Sequence, residues 1–168
     1  MQQVAFQLLA GSPFIARDAV VALPQQQLSG LKSVCFTANA KTAVIVTIIA
    51  GSSDISDVDV YFEPCQGFVD NYSDSYDPEV PAGDMTYADF RVETLAAGYT
   101  LVVDSVQRTV VVTDDAGHVV GGFDALSYLG AWRWMEASGG VSAEAHVDAG
   151  SGVVNGATTV RIETVEVA

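Results

Sequence analysis

The sequence predicts an all-β protein, an antiparallel β-sandwich of jelly-roll or galectin-like type. Three observations carry that expectation. Short segments alternate apolar and polar residues, as half-buried antiparallel strands do. Gly, Asn, Asp and Pro interrupt these segments at the short intervals typical of sandwich turns. No window sustains a helical period over three turns, whereas Val, Ile, Thr and Tyr are dense throughout.

Taken in chain order, the N-terminal MQQVAFQLLAGSPF has no basic stretch before its apolar residues and is not read as a signal peptide. Pro24–Gly30 is polar, opens on a proline and closes on a glycine, so an irregular connection is expected there. Ala43–Ala50, broken by Thr47, is the longest apolar run. A membrane helix needs about 20 such residues, so this run matches one buried strand. In Asp57–Glu63, Val58, Val60 and Phe62 face one way, and Asp57, Asp59, Tyr61 and Glu63 the other. Gln66–Asp84 follows as an irregular acidic loop carrying Asp70, Asp74, Asp77, Glu79 and Asp84 with Pro78 and Pro81. Asp89–Glu93 alternates again, with Phe90 and Val92 inward.

Leu101–Asp104, Ser105-Val106 and Gln107–Thr113 form a predicted hairpin. Asp114–Gly117 turns the next one, with Gly117 free to adopt positive φ. Phe123–Leu129 is the best helix candidate, about two turns at most. Val141–Asp148 places Val141, Ala143, Ala145 and Val147 on one face, and Ser142, Glu144, His146 and Asp148 on the other. In Thr159–Val167 the phase slips between Ile162 and Val165, and a one-residue bulge near Thr164 would restore a common inward face. Residues 1–168 are read as a single β-sandwich domain with the acidic loop at about 66–84.

Seven Lys and Arg against 21 Asp and Glu leave a net charge of −14. Such a surface repels phosphate, which argues against nucleic acid and anionic membranes as direct partners. The apolar content of 49% argues against a disordered chain. Cys35, in Val-Cys-Phe, reads as a core thiol, and Cys65, after Pro64, as a strand-end residue. Two buried free thiols are favoured over one disulfide, with metal binding or catalysis behind both.

Catalytic patterns are lacking. Neither Gly51-Ser52-Ser53 nor Gly150-Ser151-Gly152 makes a nucleophile elbow. His118, beside a turn glycine, and His146, on a polar strand face, read as solvated. Glycoside hydrolysis needs two carboxyls about 5–9 Å apart across a cleft, and no pair among the acids stands out. The acid at Asp70–Asp84 supplies hard oxygens that would suit calcium, without EF-hand spacing, and Asp54, Asp57 and Asp59 form a weaker cluster. Solvated acid is the favoured reading of both, and no metal or cofactor is assigned. Candidate partner or glycan contacts are Tyr72, Tyr76, Tyr87, Trp132 and Trp134. Trp132 and Trp134 share a strand face by parity, with Arg133 opposite, a pattern commoner in cores and interfaces than on sugar platforms.

The C-terminal half carries an ordered set of features. Leu95, Gly98, Leu101 and Asp104 are followed by Arg108 and Val110, then Gly117, Leu126, Gly130 and Trp132, and a Gly139-Gly140 step. Upstream lie Asp18–Leu23 with Pro24, and the strand Asp57–Pro64. This order resembles the β-sandwich domain in distal tail and minor tail proteins of long-tailed bacteriophages, particularly those of actinobacterial hosts. Arg133-Trp134-Met135 stands where that family usually has Pro or Leu after the tryptophan, and the family's longer N-terminal ring-forming region is expected to be short or absent. The resemblance implies a non-enzymatic virion subunit, assembled in the host cytoplasm, that joins other virion proteins in a symmetric homo-oligomer at the tail tip. The alternatives are a capsid or tail decoration protein and a carbohydrate-binding module that recognises host-surface glycan.

Overall fold

In the computed structural model, which describes residues 19–65, 88–128, 132–149 and 158–167, the alternating segments pair into two antiparallel sheets. The strands are β1 (Val20–Gln27), β2 (Leu31–Thr37), β3 (Thr42–Ile49), β4 (Ile55–Pro64), β5 (Ala88–Leu95), β6 (Thr100–Asp104), β7 (Thr109–Thr113) and β8 (Val119–Gly121), followed by β9 (Leu126–Tyr128), β10 (Glu136–Ala137), β11 (Ser142–Asp148) and β12 (Thr159–Glu166). One sheet has five strands in the order β9-β5-β4-β11-β2. The other has seven, ordered β1-β12-β3-β6-β7-β8, with β10 also pairing with β3. The expected all-β sandwich is what forms. Among the described residues no helix is long and apolar enough to cross a membrane.

The predicted inward faces meet in one core. Val58, Val60 and Phe62 of β4, Phe90 and Val92 of β5, and Ala143, Ala145 and Val147 of β11 are all buried. Opposite them lie Val44, Val46 and Ile48 of β3, Leu101 and Val103 of β6, and Val160 and Ile162 of β12. The small side chains of β11 sit between the larger ones of its neighbours, an alternation that lets two sheets interdigitate.

The hairpin turns owe their shape to acid. Asp104 Oδ1 accepts hydrogen bonds from the amides of Val106 (2.9 Å) and Gln107 (3.0 Å), and Arg108 takes the left-handed conformation before β7 begins at Thr109. Asp114 Oδ1 does the same for Ala116 and His118, with Gly117 at φ 88° as anticipated. Short Asp side chains that bond the backbone ahead are a standard way to hold a turn.

Three local expectations are corrected. Pro24 lies within a strand, since β1 runs on to Gln27. This strand edges its sheet and has the β12 register shifts beside it, so a missing N–H is tolerated there. The bulge is not near Thr164. β12 pairs with β3 in unbroken register from Thr159 to Glu166, and the extra residues fall in β1, opposite Val160–Glu163. Thr164 and Val165 are instead both buried, on opposite faces of a strand flanked by β1 and β3. In the described part of Phe123–Leu129, which ends at Tyr128, helix is confined to one 3-10 turn, Phe123–Ala125, before β9 begins.

Cys35 and Cys65 are joined in a disulfide, so the expected free thiols are not found. Cys35 alternates with the inward Val34 and Phe36 and therefore faces outward, not into the core. Its partner follows the end of β4 as anticipated. The bond ties together the two strands that flank β11.

Candidate functional site

Three surface regions carry side chains with potential for recognition. The first is the flank where β8 and β9 end their sheets. The chain crosses between these edges through Gly121-Gly122 and the 3-10 turn. A Cβ on Gly122 would stand 2.8 Å from the Val110 carbonyl oxygen, so this crossing fits only glycine. Phe123 packs edge-on against Trp132 (5.3 Å between centroids) and Trp134 (5.8 Å), while Tyr128 and Phe90 lie 5.4 and 5.0 Å from Trp132. The result is an aromatic plug over the open side of the sandwich. Phe123, Tyr128, Val119 and Val120 remain exposed on its surface.

The structure brings Trp132 and Trp134 together, as parity implied, but not on a strand: residues 132–135 are irregular. Their rings meet at 5.1 Å with planes inclined by 78°, and both are half-buried against the core. They do not form a flat, coplanar platform. Tyr72, Tyr76 and Tyr87, and the acidic loop with its calcium reading, lie outside the described residues.

The second region is the opposite flank, where β1 and β2 are the edges. The two strands splay to leave a groove of about 510 Å³ lined by Val20, Ala22, Val34, Cys35 and Phe36, with Thr164 and Glu166 at its side. Val20, which lines the groove, is exposed, as are Val21 and Leu31 on the same two edge strands.

The third region is the outer face of the five-stranded sheet. Cross-strand register sets Glu144 opposite Glu63, His146 opposite Tyr61 and Asp148 opposite Asp59. On the far side of β4, Asp59 faces Arg91 and Tyr61 faces Asp89. Arg91 holds Asp59 in a bidentate pair at 2.6 and 3.2 Å, which raises the guanidinium pKa. Asp89 has no such partner for its Oδ1, which is buried without a hydrogen bond among the described residues. Burial, with the charges of Asp59 and Glu63, raises its pKa above the usual carboxylate value.

His146 is not the solvated residue expected from its place on a polar face. Its side chain is 14% exposed, with Nε2 2.9 Å from Glu63 Oε2 and 3.6 Å from Glu144 Oε1. Burial disfavours the charged ring, but the neighbouring Glu63 and Glu144 outweigh it and the pKa is raised. His118 matches its expectation, with an exposed side chain near Asp114. Of the weaker acidic cluster, Asp54 accepts a hydrogen bond from the Ala97 amide and Asp59 pairs with Arg91.

His146 is a candidate from the sequence, read there as solvated, whereas Glu63 and Glu144 are not singled out beyond their outward strand positions. Their shared outward parity was visible, but the register that sets Glu144 against Glu63, 81 residues apart in the chain, was not.

No protein-family model matches the chain, and no curated protein sequence does either. Among solved structures, the chain is similar to the Dit protein of phage SPP1, described as a paradigm of the hub adsorption apparatus in phages that infect Gram-positive bacteria. The TM-score is 0.45 at 12% identity, over 88% of this chain and 46% of that one. The chain thus spans less than half the length of that protein.

Proposed function

We propose that this chain is a non-enzymatic structural subunit of a bacteriophage particle, a minor or distal tail protein at the tail tip. The ordered Leu95–Asp104, Arg108, Gly117 and Trp132 pattern points to that class. One observation carries the reading further: every large apolar side chain exposed among the described residues lies on one of the two flanks. Val20, Val21 and Leu31 occupy one flank, and Val119, Val120, Phe123 and Tyr128 the other. An isolated domain gains nothing from such a distribution, whereas a subunit that meets neighbours side by side does.

The flanks differ in shape, one grooved and one plugged with aromatic rings. Contact of one with the other is heterologous, and repeated contacts of this kind close into a ring or run on as a filament. Acidic strand positions elsewhere would resist uncontrolled pairing. Other virion proteins would be the neighbours above and below, and the virion the place of residence.

The decisive experiment locates the chain in native particles by labelling and measures its copy number. A copy number that is a multiple of the tail's rotational symmetry, at the tip, is expected. A chain absent from purified particles refutes the reading. In solution, light scattering of the full chain is expected to show self-association that Phe123→Ser with Tyr128→Ser weakens.

A further inference from the structure

We infer that Glu63, Glu144 and His146 form a binding site for a divalent transition-metal ion of the zinc class on the outer face of the five-stranded sheet. The three donor atoms, one imidazole nitrogen and two carboxylate oxygens, all lie within 4.8 Å of one another. They come from two neighbouring strands: β4 supplies Glu63, and β11 supplies Glu144 and His146 two residues apart on one face.

The distances fit an ion. Zinc holds nitrogen and oxygen ligands at roughly 2.0–2.2 Å, so two ligands of a tetrahedral centre stand about 3.3 Å apart. The two Nε2 to carboxylate separations, 2.9 and 3.6 Å, bracket that value. The imidazole supplies an independent observation. Nε2 is enclosed, and it faces two carboxylate oxygens at once, Glu63 Oε2 at 2.9 Å and Glu144 Oε1 at 3.6 Å.

The surroundings favour a cation. Asp59, Asp89 and Asp148 share this face, while Arg91 is engaged with Asp59. A nitrogen ligand among carboxylates suits zinc and its neighbours, whereas Ca²⁺ and Mg²⁺ prefer oxygen alone. Three protein ligands leave a fourth position for water or another oxygen donor. A bound ion would pin β4 to β11 beside the disulfide, since Cys35 lies opposite Glu144 on the other side of β11. The competing occupant of Nε2 is a proton shared electrostatically with the two glutamates.

The test is calorimetric titration of untagged, metal-stripped full-length protein with Zn²⁺, alongside His146→Gln, Glu144→Gln and His118→Gln variants whose folding is checked by circular dichroism. One ion per chain is expected. Binding should weaken by about tenfold or more in Glu144→Gln and in His146→Gln, and should be unchanged in His118→Gln. Excess Mg²⁺ should not displace the ion. Absence of zinc binding by the wild type, or equal binding by wild type and a folded Glu144→Gln variant, overturns the site and leaves the proton as the occupant of Nε2. Neither result bears on the chain's place in a particle.

Discussion

Breaking the Cys35–Cys65 bond is expected to cost the fold a large share of its stability. The two cysteines are 30 residues apart, and the loop they close contains all of β3 and all of β4, an inner strand of each sheet. In the chain-entropy account, closing a loop of that length removes about 12 cal/mol/K from the unfolded ensemble, about 3.6 kcal/mol at 25 °C. For a chain of this size that corresponds to a fall in melting temperature of roughly 10 °C. The assay compares thermal melts of oxidised protein, reduced protein and a Cys35→Ala/Cys65→Ala variant, with thiols titrated before and after reduction. Reduction leaves every side chain in place and isolates the cross-link. The variant adds a small packing loss, because Cys65 is buried. Oxidised and reduced forms that melt within about 2 °C of each other would refute the loop-closure argument. Two free thiols in untreated, unfolded protein would refute the bond itself.

Asp89→Asn should stabilise the protein at neutral pH by about 0.5 kcal/mol, because it removes a half-buried charge beside Asp59 and Glu63 while leaving a group that can donate. The sign follows from the raised pKa: the folded state holds the proton more tightly than the unfolded one, so stability is fully present below the unfolded pKa and is lost as pH rises through the folded value. Denaturation midpoints of wild type and variant should therefore converge at low pH and separate above it. Ser105→Ala should cost about 1–2 kcal/mol in urea unfolding, because the Ser105 hydroxyl accepts the buried Met135 amide at 2.9 Å and no other oxygen replaces it. Deleting Glu163–Ala168 should abolish cooperative unfolding, because it removes half of β12 from between β1 and β3 and exposes Ile45 and Ala43. A truncated chain that still melts in one sharp transition would count against that role.

Much of the fold could be read from the chain because a period of two is a local signal. Val58, Val60 and Phe62, or Ala143, Ala145 and Val147, declare their inward face without reference to any partner, and each is buried. What failed was non-local. The Pro24 segment is polar because one side of an edge strand faces water, and an edge strand looks like a loop when its partner is unknown. The Thr159–Val167 slip was visible, but pairing decided that β1 would absorb the irregularity and that β12 would stay regular against β3. The disulfide depended on β11 lying between β2 and β4, an order that two cysteines cannot reveal. Parity puts Trp132 and Trp134 on one strand face, but they lie outside any strand, and their rings meet edge-on with Phe123 packed against both. His146 was misjudged for the same reason: its enclosure is made by Glu63 across the register.

The distribution of charge now bears on how the chain would meet its neighbours. Covering the broad outer face of the five-stranded sheet would take Asp59, Glu63, Asp89, Glu144 and Asp148 out of water together, with Arg91 and His146 as the described basic groups on their strands. Each carboxylate left without a partner there costs several kcal/mol to desolvate. Covering a flank instead buries Val20, Val21 and Leu31, or Val119, Val120, Phe123 and Tyr128, at a gain of about 25 cal/mol per Å² of apolar surface. The two terms have opposite signs, and together they favour neighbours that meet edge to edge with the acidic face left to solvent. A bound dication at Glu63, Glu144 and His146 would lower the first cost by offsetting two of the carboxylates, so metal loading is the one change that would make the broad face a competitive contact. Light scattering with and without Zn²⁺ reads this out: self-association carried by the flanks should be lost with the Phe123→Ser/Tyr128→Ser pair at either metal level, whereas association that appears only with zinc and survives that pair would place the contact on the acidic sheet.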